Sequence, residues 1–478
     1  MFKIVELQTI NGNSTALSSE AVEEFASSLR GRLIRPNSPK YDEARAVWNG
    51  MVDKYPALIA KVADVADVIR AVNFARENKL LVSVRGSGHN VAGSAIAENG
   101  LVIDLTELKG IHVDPFTRTV KAQAGVTIGE LDFETQAFGM AVPMGVVTAT
   151  GIAGLTLSGG VGWMRRKHGM TLDNLISVDI VTADGKLIRA SQEENAELFW
   201  GVRGGGGNFG IVTSFEYAMH PVGPDVFMSA LFHDGANARR ILRFFREWAK
   251  TAPDEISLIA VLGRFAENET FPADYHGKQF VAFIGPYIGD PVEGERLLEP
   301  LRKLAEPVVD FSGVMPYVAA QQFFDEDYPS GEMRYYWKSS YINNLGDNEI
   351  DRLISAAEDA PSDHSTIDIW HLGGAISRVI PDATAFRTRY APYMIGVEAN
   401  YEHESEDAAN IEWTRRLVDD MQQFSDGSQY FNFPGFYEEG LDAVRSSYGD
   451  NYERLVALKN QYDPDNLFRL NQNIKPTV

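Results

Sequence analysis

"VSVRGSGHNVAG", residues 82–93, is an alternating apolar strand that runs into a glycine-flanked turn and delivers a histidine on its far side. Gly86 and Gly88 flank Ser87, and glycine freedom there lets successive N–H groups converge into a nest able to hold phosphate oxygens. Most phosphate loops carry lysine or a small residue at the next position; here it is His89. No G-x-G-x-x-G opens a helix after the strand, and no Walker A lysine follows. A plain tight turn is the competing reading of this loop taken alone.

Two more glycine-dense stretches lie within the next 120 or so residues, an ordinary domain's length. They are "GVVTATGIAGLTLSGGVG" at 145–162 and "GGGGNFG" at 204–210. The first has too much glycine for a helix interior and reads as loop backbone approaching something closely. The second follows a helix-like "ENAELFW" and precedes a strand, the wrong order for either nucleotide motif. One cofactor threaded against three loops accounts for them better than three unrelated turns. A neutral imidazole beside that cofactor can form a covalent bond if the cofactor offers an electrophilic carbon.

Around this region the chain alternates short strands and helices. Val65, Val68, Ile69 and Val72 recur at helical spacing after the strand "ALIA", and "LVIDLT", "IHV" and "TVKAQAG" read as strands before a helix over "TIGELDFETQAF". "MHPVGPDV", 219–226, is a plausible domain crossing. Beyond it the strands "SLIAVL", "QFVAFIG", "RYYWKSSYI", "STIDIWHL" and "YMIGVEANY" are interleaved with helices near 235–250, 291–305, 348–359 and 407–424. This pattern predicts one sheet backed by helices.

At 478 residues the chain exceeds the size at which one core stops growing, so at least two domains are expected. The formal charge of −22 lies almost wholly after residue 220, with no basic stripe. That composition is a poor match to nucleic acid or an anionic membrane surface. The opening has no signal-peptide pattern and no stretch approaches the roughly 18 apolar residues of a membrane span, so a cytoplasmic protein is expected. The absence of cysteine excludes disulfides, thiolate metal sites and cysteine nucleophiles, and no metal site is expected.

Together, "VSVRGSGHNVAG", "GLTLSGGVGWMRRKHGMTLDNLISVDIVTADG", "LFWGVRGGGGNFGIVTSFEY" and the terminal "YDPDNLFRLNQNI" resemble the berberine-bridge-enzyme-like FAD-linked oxidases of the vanillyl-alcohol-oxidase superfamily, in the expected order and over nearly the whole chain. The resemblance implies an α+β fold. A two-part PCMH-type FAD-binding domain would comprise residues 1–220 (core about 55–222) and the returning segment 431–478. A substrate-binding domain with an antiparallel sheet backed by helices would occupy 221–430. His89 is implied to be the covalent attachment point, bonded to the 8α-methyl carbon of the flavin, with Arg85, Gly86, Ser87, Gly88 and His89 around the pyrophosphate and Asn90 a further cofactor-binding residue. Thr150, Gly151, Gly154, Ser158, Gly159 and Gly162 would line the flavin, and Ile211 and Val212 the adenosine end. Asn471 and Asn473 could reach the ring system, with loop pinning as the alternative for both. Doubly linked relatives carry cysteine where this chain has Val147, so a single linkage is implied.

The departures bear on substrate. Many relatives place a catalytic tyrosine in a Y-x-N-Y element; "YFNF", 430–433, puts Phe433 there. A base must come from the second domain's sheet. Strand alternation groups Met394, Gly396, Glu398, Asn400 and Glu402 on one face and Tyr393, Ile395, Val397, Ala399 and Tyr401 on the other. Glu398, His371 and Tyr401 are the candidates, with an interior structural histidine and outward-facing carboxylates as the plain readings. One or two aromatics of 335–341 are expected to floor the pocket. The implied reaction removes hydride from a carbon bearing O or N of a small-molecule substrate and passes electrons to dioxygen. A dehydrogenase with another acceptor and a non-catalytic flavoprotein are the alternatives, and sugars, aromatic alcohols, cyclic amines and polyketide intermediates all remain open as ligands.

Overall fold

The computed structural model describes residues 5–436 and 440–478. Leu58–Lys61, Leu101–Asp104 and Val82–Arg85 pair in parallel, in that spatial order, and Arg32–Ile34 adds an antiparallel edge. Parallel neighbours need a crossover, and Val65–Glu77 supplies it as a helix. Asp64 caps that helix by accepting from the Asp67 N–H. This connection delivers Val82–Arg85 to an edge of the sheet, with the RGSGHN turn leaving its end.

A five-stranded antiparallel sheet follows, in the order Leu187–Ser191, Leu175–Thr182, Gly210–Ala218, Thr119–Gln123, Ile111–Asp114. Its inner face and the first sheet share one apolar core. Val444, Tyr448, Leu455, Leu467 and Ile474 from the end of the chain join that core.

The middle of the chain forms a large antiparallel sheet whose centre runs Asp225–Asp234, Gln279–Tyr287, Ile259–Arg264, Thr366–His371, Tyr393–Tyr401, Arg334–Ile342. Strand alternation divides its faces. Ile395, Val397, Ala399 and Tyr401 pack with Ile241, Phe245, Leu353, Trp413 and Leu417 of the covering helices. The opposite face carries Trp370 and Met394, which pack with Trp163 and Met164 of the glycine-rich region. The molecule is thus α+β, with the sheet's uncovered face turned toward the glycine loops. Among the described residues no helix is long and apolar enough to cross a membrane.

One sequence reading needs correction. Residues 145–162 are not loop throughout: Ile152–Leu157 is a short helix. Ile152, Ala153, Thr156 and Leu157 are buried, and tertiary burial outweighs the propensity cost of Gly154. Gly154 itself faces open space, with nothing within 4 Å of where a Cβ would stand.

Candidate active site

A cleft of about 1750 Å³, its open mouth included, runs between the glycine loops and the bare face of the large sheet.

Three loops form one wall. Ser87 Oγ accepts from the Gly151 N–H at 2.7 Å, tying the first glycine turn to the second. Gly151 cannot be larger, because a Cβ there would stand 2.8 Å from that same oxygen. Gly88 has φ +87°, and its carbonyl accepts from the Trp48 N–H at 3.2 Å. Trp48 then stacks on the His89 ring, centroids 4.2 Å apart, fixing the imidazole. His89 Nε2 is buried without a hydrogen-bond partner. Burial lowers its pKa to about 4, so the ring is neutral near pH 7. Ile211 and Val212 line the same cleft.

The sheet forms the opposite wall. Glu398 is 2% exposed and accepts from the Tyr328 hydroxyl at 2.8 Å. Asp368, on the adjacent strand opposite Gly396, is 3% exposed with an unpartnered Oδ1. Burial drives the Glu398 carboxyl well above its usual range, and the Asp368 charge adds to the shift. Burial likewise pushes Asp368 up to about 7. Trp337, Trp370 and Phe433 surround the pair, with Trp337 and Phe433 rings 5.3 Å apart. Tyr430 pins the "YFNF" turn by accepting from the Gly160 and Val161 N–H groups, each at 3.1 Å.

Comparison with known proteins gives this geometry a family. The FAD binding domain family matches residues 56–191, and the berberine and berberine-like family matches 429–475. An FAD-linked oxidoreductase of Dictyostelium discoideum is 31% identical across 98% of this chain and 99% of its own. The chain belongs to the berberine-like FAD-linked oxidoreductases. (R)-6-hydroxynicotine oxidase of Paenarthrobacter nicotinovorans is 28% identical, covering 94% of this chain and 97% of its own. The crystal structure of 6-hydroxy-D-nicotine oxidase from Arthrobacter nicotinovorans superposes with a TM-score of 0.83 at 27% identity, over 94% of this chain and 98% of that one.

The residues of this FAD-linked oxidoreductase fit the cofactor. Along the cleft, Ser83 Oγ, His89 Nε2 and Asn471 Oδ1 are buried polar atoms without protein partners. Gly154 leaves open the space a Cβ would fill. Gly86, Ser87, Gly88, Asn90, Thr150, Gly151 and Ser158 also line the cleft.

Other sequence expectations are corrected by position. Arg85 turns away and donates to the Ala44 carbonyl at 2.6 Å. Gly159 and Gly162 lie behind the lining; a Cβ on Gly162 would stand 1.5 Å from the Met144 carbonyl oxygen, so this glycine serves close backbone packing. Asn473 falls outside the lining, while its neighbours Asn471 and Gln472 belong to it. His371 and Tyr401 are on the helix-covered face, one residue out of phase with Asp368 and Glu398. His371 Nε2 pairs with Arg166 Nη1 at 2.8 Å, and the Tyr401 hydroxyl meets Met51 Sδ at 3.3 Å. Glu402 lies past the strand end and is exposed. Asp368 and Tyr328 were missed. A lone carboxylate inside the apolar "TIDIW" was the available signal for the first; Tyr328, in a turn, gave none.

Proposed function

We propose that this oxidoreductase holds its flavin by a single covalent bond to His89 and oxidises a small molecule at a carbon bearing oxygen or nitrogen, with Glu398 and Asp368 taking up the accompanying proton and dioxygen accepting the electrons. The observation that carries this reading is one cleft joining an unpartnered neutral imidazole on one wall to a buried carboxyl pair on the other. Held by the glycine turns and His89, a bound FAD would supply the hydride acceptor that no side chain of the cleft can provide. A neutral His89 keeps a nitrogen lone pair available for attachment. Val147 lines the cleft and offers no atom for a second bond. Burial and mutual repulsion hold a proton on the carboxyl pair near neutrality, and the remaining charge is a base whose pKa suits that pH. Tyr328 fixes the Glu398 carboxyl toward the cleft. Relatives named as oxidases support dioxygen as acceptor.

Removing a general base costs about 10²- to 10⁴-fold in rate. Glu398→Gln should therefore keep its flavin and substrate affinity while anaerobic rapid-mixing reduction of the flavin slows by that factor. Reduction at the parental rate would remove Glu398 from the reaction.

A further inference from the structure

The sheet end of the cleft has an unusual composition for a site that handles a polar carbon. Its walls are aromatic and contiguous: Tyr328 and Trp337 rings lie 5.3 Å apart, Tyr430 and Phe433 5.4 Å, Trp370 and Phe433 6.3 Å. The charged groups lining the whole cleft, among the described residues, are Asp368, Glu398 and Arg469. Arg469 lies away from this end, donating to the Ile10 carbonyl. Asp368 Oδ1 and Trp370 Nε1, each on a residue 3% exposed, face the cleft without partners. Trp337 Nε1 is already committed to Asn400 Oδ1 at 2.7 Å, so that indole has no free N–H for a substrate hydroxyl. Behind them Gly396 packs among the same groups: a Cβ there would stand 3.4 Å from Trp370 Nε1, 3.5 Å from Glu398 Oε1 and 3.5 Å from a Phe433 ring carbon.

An anionic substrate is excluded here by the carboxyl pair, and a neutral hydroxyl would gain from that pair only a hydrogen bond. A cation gains twice: from the unneutralised carboxylate charge and from aromatic faces, which attract cations within about 6 Å when desolvated. We infer that this end receives a protonated amine with a small, largely apolar body, its nitrogen beside Asp368 and Glu398 inside the ring of aromatics. The inference deepens the function proposed above and rests on it. The ammonium N–H proton passes to the carboxylate pair, which frees the nitrogen lone pair. The C–H bond next to nitrogen then breaks, its hydrogen and electron pair going to FAD, and the lone pair forms a C=N bond. The product is an iminium ion, which water converts to a carbonyl compound and an amine.

The groups facing Asp368 are Glu398 from the neighbouring strand, the Thr366 hydroxyl on its own strand, and Asp327 and Tyr328 from the turn before Arg334–Ile342. Burial pushes Asp327 up to about 6, so both aspartates gain negative charge between pH 6 and 8.

The test uses the flavin-loaded protein and two probes of one shape: benzyltrimethylammonium, a permanent cation with no titrating proton, and neopentylbenzene, its neutral isostere. Binding is followed by tryptophan fluorescence. The cation should bind at least about 10-fold more tightly, with affinity rising about 10-fold from pH 6 to 8 while the neutral probe shows no such rise. Asp368→Asn, with its flavin spectrum intact, should remove that rise. Equal affinities, or a cation affinity indifferent to both pH and Asp368→Asn, would overturn the inference. An anaerobic screen of benzylamines against benzyl alcohols separates the two levels. Bleaching of the flavin by alcohols alone overturns the amine inference and leaves the oxidoreductase reading standing. Pair-dependent cation binding together with a Glu398→Gln variant that reduces at the parental rate sustains the amine site and sinks the proton-acceptor role.

Discussion

Glu398 and Glu402 sit four residues apart on what alternation alone makes a single face, yet Glu398 is 2% exposed in the cleft and the Glu402 side chain is 58% exposed beyond the strand end. Parity was enough to put Glu398 on the right face, because the strand is unbroken from Tyr393 to Tyr401. Asp368 needed the register Asp368↔Gly396 and Thr366↔Glu398, a long-range pairing that no local pattern encodes. His371 drew attention by residue type, but period two places it opposite Asp368 and Trp370. The carboxyl pair carries a pH prediction. With Asp368 pushed up to about 7, proton uptake requires its ionised form, so the flavin-reduction rate should rise as pH increases through about 7. Asp368→Asn should flatten that limb in an anaerobic pH series; an unchanged inflection would assign it elsewhere.

The glycine segments divide by what each element does. Gly88 and Gly151 were legible as turn and close-approach residues. The short helix Ile152–Leu157 was not, because its stability comes from burial of Ile152, Ala153, Thr156 and Leu157, which composition does not reveal. The C-terminal tail is held in the same indirect way. Asn208 donates to the Gly205 and Gln472 carbonyls at 2.8 and 3.1 Å, while its Oδ1 accepts from the Ile474 N–H at 3.0 Å. Asn208→Ala strands those buried groups at about 1–3 kcal/mol each. Amide hydrogen exchange across residues 467–475 should quicken in that variant, with less flavin incorporated. Protection equal to the parent would show that the tail is held by Leu467, Phe468 and Ile474 packing alone.

At the scale of the whole molecule, the proline and glycine cluster near 220 suggested a crossing; one apolar cluster joins residues such as Ala141 and Trp163 with Val222, Met228 and Met394 from beyond it. How the large sheet faces the glycine loops was not readable, since it depends on side chains over a hundred residues apart. That junction holds a test. Asp132, on the helix Ile128–Gln136 beside Tyr317, is 1% exposed with neither carboxyl oxygen paired, and burial holds its pKa well above 3.8. The folded protein keeps a proton that the unfolded chain releases above that value, so this residue costs stability as pH rises, about 1.4 kcal/mol per unit. Asp132→Asn should melt near the parent at pH 4 and progressively above it from pH 5 to 8; parallel curves would mean that Asp132 ionises without penalty. The central claim is that one cleft seats FAD against His89, and peptide mapping of the denatured holoprotein by mass spectrometry tests it most directly. A single flavin-bearing peptide containing His89, with none from 140–160, is the predicted result; flavin on any other peptide, or all of it released on denaturation, would contradict the account.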